Sequence, residues 1–477
     1  MNSSIFRLFK EYYGTEAKTV TPIKGSGSNR CYFRMSSPSA IGTIGQEKRE
    51  NQAFIYLDRH FLSKGLPVPR IFAVADDLSA YLQEDMGEVM LNDVVDNARK
   101  SGDFGPITAI LEQCMRQLAR FQFDAGEDLD YSQCYPQAAF DRRMLSFDLN
   151  YFKYCFLKSS GLEFDENTLE DDFHTLASLL LECDRFGNTF MFRDFQSRNV
   201  ILRGSQPYFI DFQGGRRGPV HYDLVSFVWQ VRAAYPEALR EHLVETYIEA
   251  AGQRLGDIER FRTELLQFRL LRLLQVLGAY GFRGLVEHKA KFTTMIIPAL
   301  AQLQSLLDEA GEEFSSMPYM VNTLRRLCSL ERFAPLSYDD KRLTVRVYSF
   351  SYMKGIPEDL SGNGGGYTFD CRGIHNPGRY EQYKKLTGLD EEVIKFLEDD
   401  GEMTVFLEHA KAMVAPHVKR FIERGFSNMS IAFGCTGGQH RSVYGAQHMA
   451  EYLAESFPKA RIHLIHRERG IEKIYNE

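Results

Sequence analysis

From about residue 20 to 85 short apolar runs alternate with Gly and Pro punctuation, which predicts a strand-rich segment holding one helix that begins near Glu50. Between roughly 106 and 310 the apolar spacing changes to the helical period, in stretches such as ITAILEQCMRQLARFQ and FRTELLQFRLLRLLQVLGAYG, with a strand-and-loop island at 189–215. ERFAPLSYDDKRL at 331–343 has Pro, Ser and charges without periodicity, so it predicts a boundary: 1–330, a linker 331–342, and 343–477. Beyond it TVRVYSFSY alternates as a strand, YTFDCRG reads as a second, and SNMSIAFGCTGGQHRSVYGAQHMAEYLAESF as strand, Gly-rich turn and helix, which predicts a small α/β domain. GNGGGY at 362–367 reads as a loop.

Composition narrows the class. With 477 residues, 44% hydrophobic and 25% charged, the chain can bury more than one core. A net charge of -7 gives no general attraction to nucleic acid or anionic membranes. The eight cysteines form no C-x-x-C pair, which fits free thiols in a reducing compartment. The N-terminus lacks an apolar leader, and no run approaches the roughly 18 apolar residues of a membrane span. A cytoplasmic protein with no membrane association is expected.

The island carries the chemistry. MFRDFQSRNVIL (191–202) sets Asp194 and Asn199 in a D-x-x-x-x-N arrangement, and YFIDFQGG (208–215) follows with Asp211 leaving a strand. Phosphoryl transfer from ATP needs one carboxylate to orient a hydroxyl and accept its proton, and an amide with a second carboxylate to hold Mg²⁺. These roles fall to Asp194 as base and to Asn199 and Asp211 as metal ligands. Such a pair alone arises often by chance; the apolar runs on both sides, the short hairpin and the strand ending in Asp-Phe give it weight. Upstream, KGSGSNRCYFRM holds Gly25, Ser26, Gly27, Ser28, Asn29 and Arg30 in a hairpin whose N–H groups could cover nucleotide phosphates; the bland alternative is a surface turn. YLQEDMG (81–87) is an apolar strand ending in Glu84 and Asp85, placed as a hinge against adenine or simply as a strand entering a turn.

A second constellation lies near the C-terminus, where a strand runs into Gly434, Cys435, Thr436, Gly437, Gly438, Gln439, His440, Arg441 and Ser442 before a helix. Free N–H groups at a helix start, glycines and an arginine make an anion pocket. Cys435-x5-Arg441 also imitates a phosphatase loop. Binding is favoured over hydrolysis because no general-acid Asp is evident.

GSGSNRCYFR, ENQAF with GLPVPRIFAV, YLQEDMG, FRDFQSRNVIL, IDFQGGRRGPVHYDLVSF and LLQVLGAYGF make the span from about 5 to 325 resemble the aminoglycoside/choline phosphotransferase superfamily, most of all its anomeric kinases of cell-wall amino sugars. The resemblance implies an α+β, protein-kinase-like bilobal domain, with a small antiparallel β-rich lobe and a helical lobe. It also implies ATP and Mg²⁺ as cofactors and N-acetylmuramate or N-acetylglucosamine as substrate. Glu50 would pair with a strand Lys, but SAIGTIGQ offers none, leaving Lys48, Arg49 or Arg34 as substitutes; Phe192 stands where the family has His. A nucleotide-binding regulator without turnover, or a choline or aminoglycoside kinase, are the alternatives.

SFSYMKGIP, FDCRGIHNP, YKKLTGLD, GCTGGQHRSVY and IHLIHRERG make 343–477 resemble the C-terminal domain of the RNase adapter protein RapZ. This implies a sensor of a phosphorylated amino sugar and an oligomerising, RNA-contacting module. The ligand would be held by Asp370, Arg372, Asn376, the loop 434–442, His466 and Arg467. Cations and anions nearly balance over 341–477, so nucleic acid is not an expected partner. Trp229 is assigned to the core, and His60, His174 and His288 lack metal-ligand spacing. FDLNYFKYCFL is read as helical packing, with Asp148 and Asn150 able to face a substrate.

Overall fold

The computed structural model describes residues 3–23, 30–287, 289–330, 333, 342–357 and 366–476. The chain divides into two compact units, Met1–Val286 with Met295–Leu330, and Glu287–Thr294 with Glu331–Glu477.

The first unit opens with helix α1 (Ser3–Tyr13) and strands β1 (Val20–Ile23), β2 (Cys31–Met35) and β3 (Ala40–Ile44). Helix α2 (Lys48–Ser63) and strands β4 (Ile71–Val74) and β5 (Ala80–Gln83) follow. The strands form one antiparallel sheet in the order β1-β2-β3-β5-β4. The apolar side of α1 seals one part of it, with Ile5, Leu8 and Phe9 buried against Met35, Ala40, Ala75, Ala80 and Leu82. Helix α2 is fastened by Asn51, whose amide donates to the carbonyls of Gly45 (3.0 Å) and Leu78 (2.8 Å). Gly45 is required there, since a Cβ would lie 2.3 Å from the Asn51 side-chain oxygen.

The second lobe is built from α3 (Leu91–Ser101), α4 (Gly105–Ala119), α5 (Arg142–Phe152) and α6 (Glu166–Glu182). Strands β6 (Phe190–Met191), β7 (Val200–Arg203), β8 (Gln206–Phe209) and β9 (Arg216–Arg217) form the island, and α7 (His221–Val228), α8 (Glu237–Ala251) and α9 (Ile258–Tyr280) follow. The island folds as two ribbons, β6 with β9 and β7 with β8. Helix α9 buries Phe261, Leu265, Phe268, Leu271 and Leu274, the helically spaced apolar set. After α10 (Ala290–Thr293), which groups with the second unit, helices α11 (Ile296–Ala310) and α12 (Pro318–Cys328) complete the first unit's helices. A small antiparallel sheet with a helical lobe is the α+β architecture expected of this part.

The second unit contains β10 (Thr344–Ser351), β11 (Gly366–Asp370), α13 (Glu391–Asp400), α14 (Glu402–Glu423), β12 (Asn428–Cys435), α15 (Arg441–Ser456), β13 (Arg461–His466) and β14 (Ile471–Tyr475). Its sheet order is β11-β12-β10-β13-β14, parallel except for β14. The central strands β10 and β12 are buried along most of their length, as parallel strands covered by helices must be. None of the eight cysteines is in a disulfide. Among the described residues no helix is long and apolar enough to cross a membrane.

Candidate active site

Phe190–Met191 enters a loop that the Phe side chains fix from below. Phe192, 1% exposed, has its ring centroid 5.6 Å from Phe121, 5.3 Å from Phe195 and 6.1 Å from Phe212. The residue standing where a His was expected is thus a packing centre, whose burial alone contributes about 1.5–3 kcal/mol. Phe195 stacks on Phe209 at 5.1 Å, tying the loop to β8.

Two non-glycine residues of this region take positive φ, Arg193 (+75°) and Asp211 (+68°). Such a conformation costs about 1–2 kcal/mol for an L-residue and persists only where surroundings impose it. For Arg193 the constraint is Asp223 of α7, whose carboxylate accepts from the N–H of Phe192 (2.6 Å) and of Arg193 (2.8 Å). Burial pushes the Asp223 carboxyl up to about 7, with the two N–H donors pulling the other way.

The three predicted groups sit on and beside one hairpin. The Asn199 amide donates to the Asp194 carbonyl (2.8 Å), and Ile210 N–H donates to the Asn199 carbonyl (3.0 Å), placing Asp211 next to the ribbon. Asp194 keeps a side chain 39% exposed, with Arg198 Nη2 3.4 Å from Oδ1. Gln213 Nε2 holds Asp211 Oδ1 at 2.9 Å. A hard divalent cation takes oxygen ligands. Asn199 has its nitrogen committed, which leaves its oxygen as an acceptor; Gln213 Oε1 is buried without a hydrogen-bond partner beside Asp211. This donor set fits Mg²⁺.

On the nucleotide side, Gly25, Ser26, Gly27, Ser28 and Asn29 lie outside the described residues. Glu50 is paired by Arg30, whose Nη2 is 3.4 Å from Oε1 and donates to the Glu50 carbonyl at 3.3 Å. The three expected substitutes are engaged elsewhere: Lys48 with Asp77, Arg49 over the Tyr135 ring, and Arg34 on Asp85. Asp85 accepts from Arg34 twice (2.8 and 3.1 Å), from the Ser39 hydroxyl (2.6 Å) and from Gly87 N–H (3.0 Å). Burial raises its pKa, but these donors hold it below the ordinary carboxylate value. Glu84 N–H donates to the Arg70 carbonyl (2.8 Å), and its carboxylate meets Arg203 at 3.2 Å.

A polar cluster adjoins the loop that carries Arg193 and Asp194. Buried Asp148 of α5 accepts from Gln275 (3.0 Å) and lies 3.9 Å from Arg193. Arg272 donates to the Tyr222 hydroxyl (2.8 Å) and also bonds Gln275. Burial, and then repulsion from Arg193, lowers the Arg216 guanidinium to about 10. Trp229 caps α7 and is covered by Arg269, 4.7 Å from its ring, so it packs partly against a cation rather than wholly in the apolar core.

In the second unit Gly434 is forced by crowding, since a Cβ would meet Phe350 at 2.4 Å, and Gly438 by its φ of +65°. Cys435 Sγ is 3.1 Å from Ser442 Oγ. Burial raises the thiol's pKa, but Ser442, loop N–H groups and Arg441 bring it below the ordinary value. Arg441 is turned inward, Nη1 donating to the carbonyls of Ile374 (2.6 Å) and Arg372 (3.0 Å). Gln439 donates to the carbonyls of Lys384 and Leu386, and His440 Nε2 meets the Tyr383 carbonyl. Thr436 offers its carbonyl to Ser351, and Gly437 has open space about its Cα. Asp370 and Arg372 form an exposed pair at 2.7 Å, and Asn376 accepts from Gly378 N–H. His466 is buried against Ser349 (2.9 Å), its pKa pushed down to about 4 by burial, and Arg467 donates to the Gly355 carbonyl. Among the described residues no group of three His, Cys, Asp or Glu is placed to hold a metal.

Sequence reasoning assigned no role to Asp223, Arg193 or Gln213. A carboxylate inside the apolar helix HYDLVSFV was a readable signal, because a buried charge requires partners. The positive φ of Arg193 left no trace in sequence.

The chain belongs to the phosphotransferase enzyme family, whose model matches residues 19–263. Residues 343–470 match the RapZ C-terminal domain. A nucleotide-binding protein of Cereibacter sphaeroides is 39% identical over 123 residues, covering 26% of this chain and 39% of that protein. One of Nitrosomonas europaea is 33% identical over 173 residues, covering 36% and 54%. The chain thus spans about half the length, or less, of these curated relatives. A choline kinase of Cryptosporidium parvum aligns with a TM-score of 0.46 at 12% identity, covering 68% of this chain and all of that one.

Proposed function

We propose that the first unit transfers the terminal phosphoryl group of ATP to a hydroxyl of a small molecule, the anomeric hydroxyl of N-acetylmuramate or N-acetylglucosamine. The reading rests on one observation: Asn199 is locked onto the Asp194 carbonyl, which couples the candidate base and the candidate metal ligand in a single hairpin. Asp194, exposed at the loop, orients the acceptor hydroxyl and takes its proton. Asn199 and Asp211 would hold Mg²⁺, with Gln213 fixing the Asp211 carboxylate, and the bound ion would supply charge neutralisation for the nucleotide phosphates. The guanidinium groups of Arg193, Arg216 and Arg272 near Asp148 favour an oxygen-rich acceptor over a cationic one such as choline. The second unit, on this reading, binds a phosphorylated amino sugar at loop 434–442, mainly through backbone N–H groups. It works in the cytoplasm, where its cysteines stay reduced.

The test is ADP release with ATP and Mg²⁺ against a panel of N-acetylmuramate, N-acetylglucosamine, choline and kanamycin. Release with an amino sugar is expected. Turnover of choline or kanamycin instead would keep the phosphotransferase and discard the acceptor. A regulator without turnover is the second reading, favoured by the absence of a cation on β3; ADP release above the ATP-only background eliminates it.

A further inference from the structure

Strand β3, Ala-Ile-Gly-Thr-Ile, carries no cation where a phosphotransferase of this architecture places a lysine to orient the nucleotide phosphates. We propose that Arg30, one residue ahead of β2, supplies that positive charge from the neighbouring strand. The inference rests on the phosphotransferase reading and adds to it the residue that positions the phosphates.

Register places the side chain. Tyr32 pairs with Thr43, and Thr43 with Tyr81, so these three point to one face of the sheet. Arg30 precedes Tyr32 by two residues and shares that face. Its guanidinium is anchored by Glu50 of α2 at 3.4 Å and lies 5.3 Å from the centroid of the Phe54 ring. Phe54 stacks at 4.8 Å on Phe212, the residue next to Asp211. Arg30 is thereby linked through two rings to the metal-binding end of the hairpin. Its neighbours Tyr81, Tyr32 and Glu50 all favour the charged form against burial. A guanidinium anchored by a carboxylate on one side keeps its planar fork pre-organised for a phosphate on the other.

The test is calorimetry of the full chain with Mg²⁺ and the non-hydrolysable analogue AMP-PNP, and separately with adenosine. Arg30→Met is expected to weaken AMP-PNP by about 10–100-fold, the worth of a charge-assisted contact, and to leave adenosine affinity unchanged. Arg30→Lys is expected to recover most of the loss. Should Arg30→Met fail to fold, Glu50→Gln, which keeps the guanidinium but removes its anchor, is expected to show the same selective loss. Equal AMP-PNP affinity in variant and parent overturns the proposal, as does a parallel fall for adenosine, which marks a merely structural role. A parent that binds AMP-PNP but turns over no acceptor sinks the phosphotransferase reading and leaves the Arg30 assignment standing.

Discussion

The candidate catalytic hairpin of the first unit and the loop 434–442 of the second are both glycine-containing turns at strand ends, yet they dispose their side chains in opposite ways. In the hairpin the scaffold is made by backbone groups and by residues outside the triad, such as Asp223 and the Phe cluster, so Asp194 stays exposed. In loop 434–442 the polar side chains are themselves the scaffold: Arg441, Gln439 and His440 all end on backbone carbonyls. On the proposed function, the first arrangement suits reaction at a side chain and the second suits an anion held by N–H groups.

That contrast predicts where substitution hurts chemistry and where it hurts stability. The largest effect is expected at Asp194: Asp194→Asn lowers turnover by about 10²–10⁴-fold with AMP-PNP affinity retained, read by ADP release beside calorimetry. Unchanged turnover removes Asp194 from the chemistry. Next, Asp223→Ala strips one buried and one part-buried N–H group of their acceptor. It is expected to cost about 2–5 kcal/mol, seen as a lower thermal midpoint of the first unit together with lost turnover. A variant with normal stability and lost activity would instead move Asp223 into the chemistry.

In the second unit, Arg441→Ala orphans the carbonyls of Arg372 and Ile374 and is expected to cost about 1–3 kcal/mol in urea unfolding. Loss of phosphorylated-sugar affinity without loss of stability would show that the guanidinium turns outward to bind, contrary to the contrast drawn. The effect with the narrowest range of conditions concerns Asp58, buried on α2, its carboxyl pushed by burial up to about 7. The unfolded chain gives up this proton near pH 4. Between that pH and 7 the folded state therefore binds more protons, so this group's contribution to stability falls as pH rises. Asp58→Asn should raise the thermal midpoint at pH 8 and change it little near pH 4. An equal change at both pH values would remove the carboxyl's ionisation as the cause.

The sequence alone determined the period of each segment, and so the strand-rich start, the helical middle and the α/β end, because apolar spacing is a local property that burial must respect. It also brought Asp194, Asn199 and Asp211 into one short stretch, since a hairpin is closed by neighbours in sequence. Only the tertiary structure decided which cation meets Glu50: strand pairing set Arg30 against α2 and sent Arg34 to Asp85. It likewise decided that Asp223 braces the loop holding Asp194 from 30 residues away and that Arg441 faces inward. Those outcomes depend on which elements become neighbours, and contacts between distant parts of a chain are fixed by global packing rather than by local residue spacing.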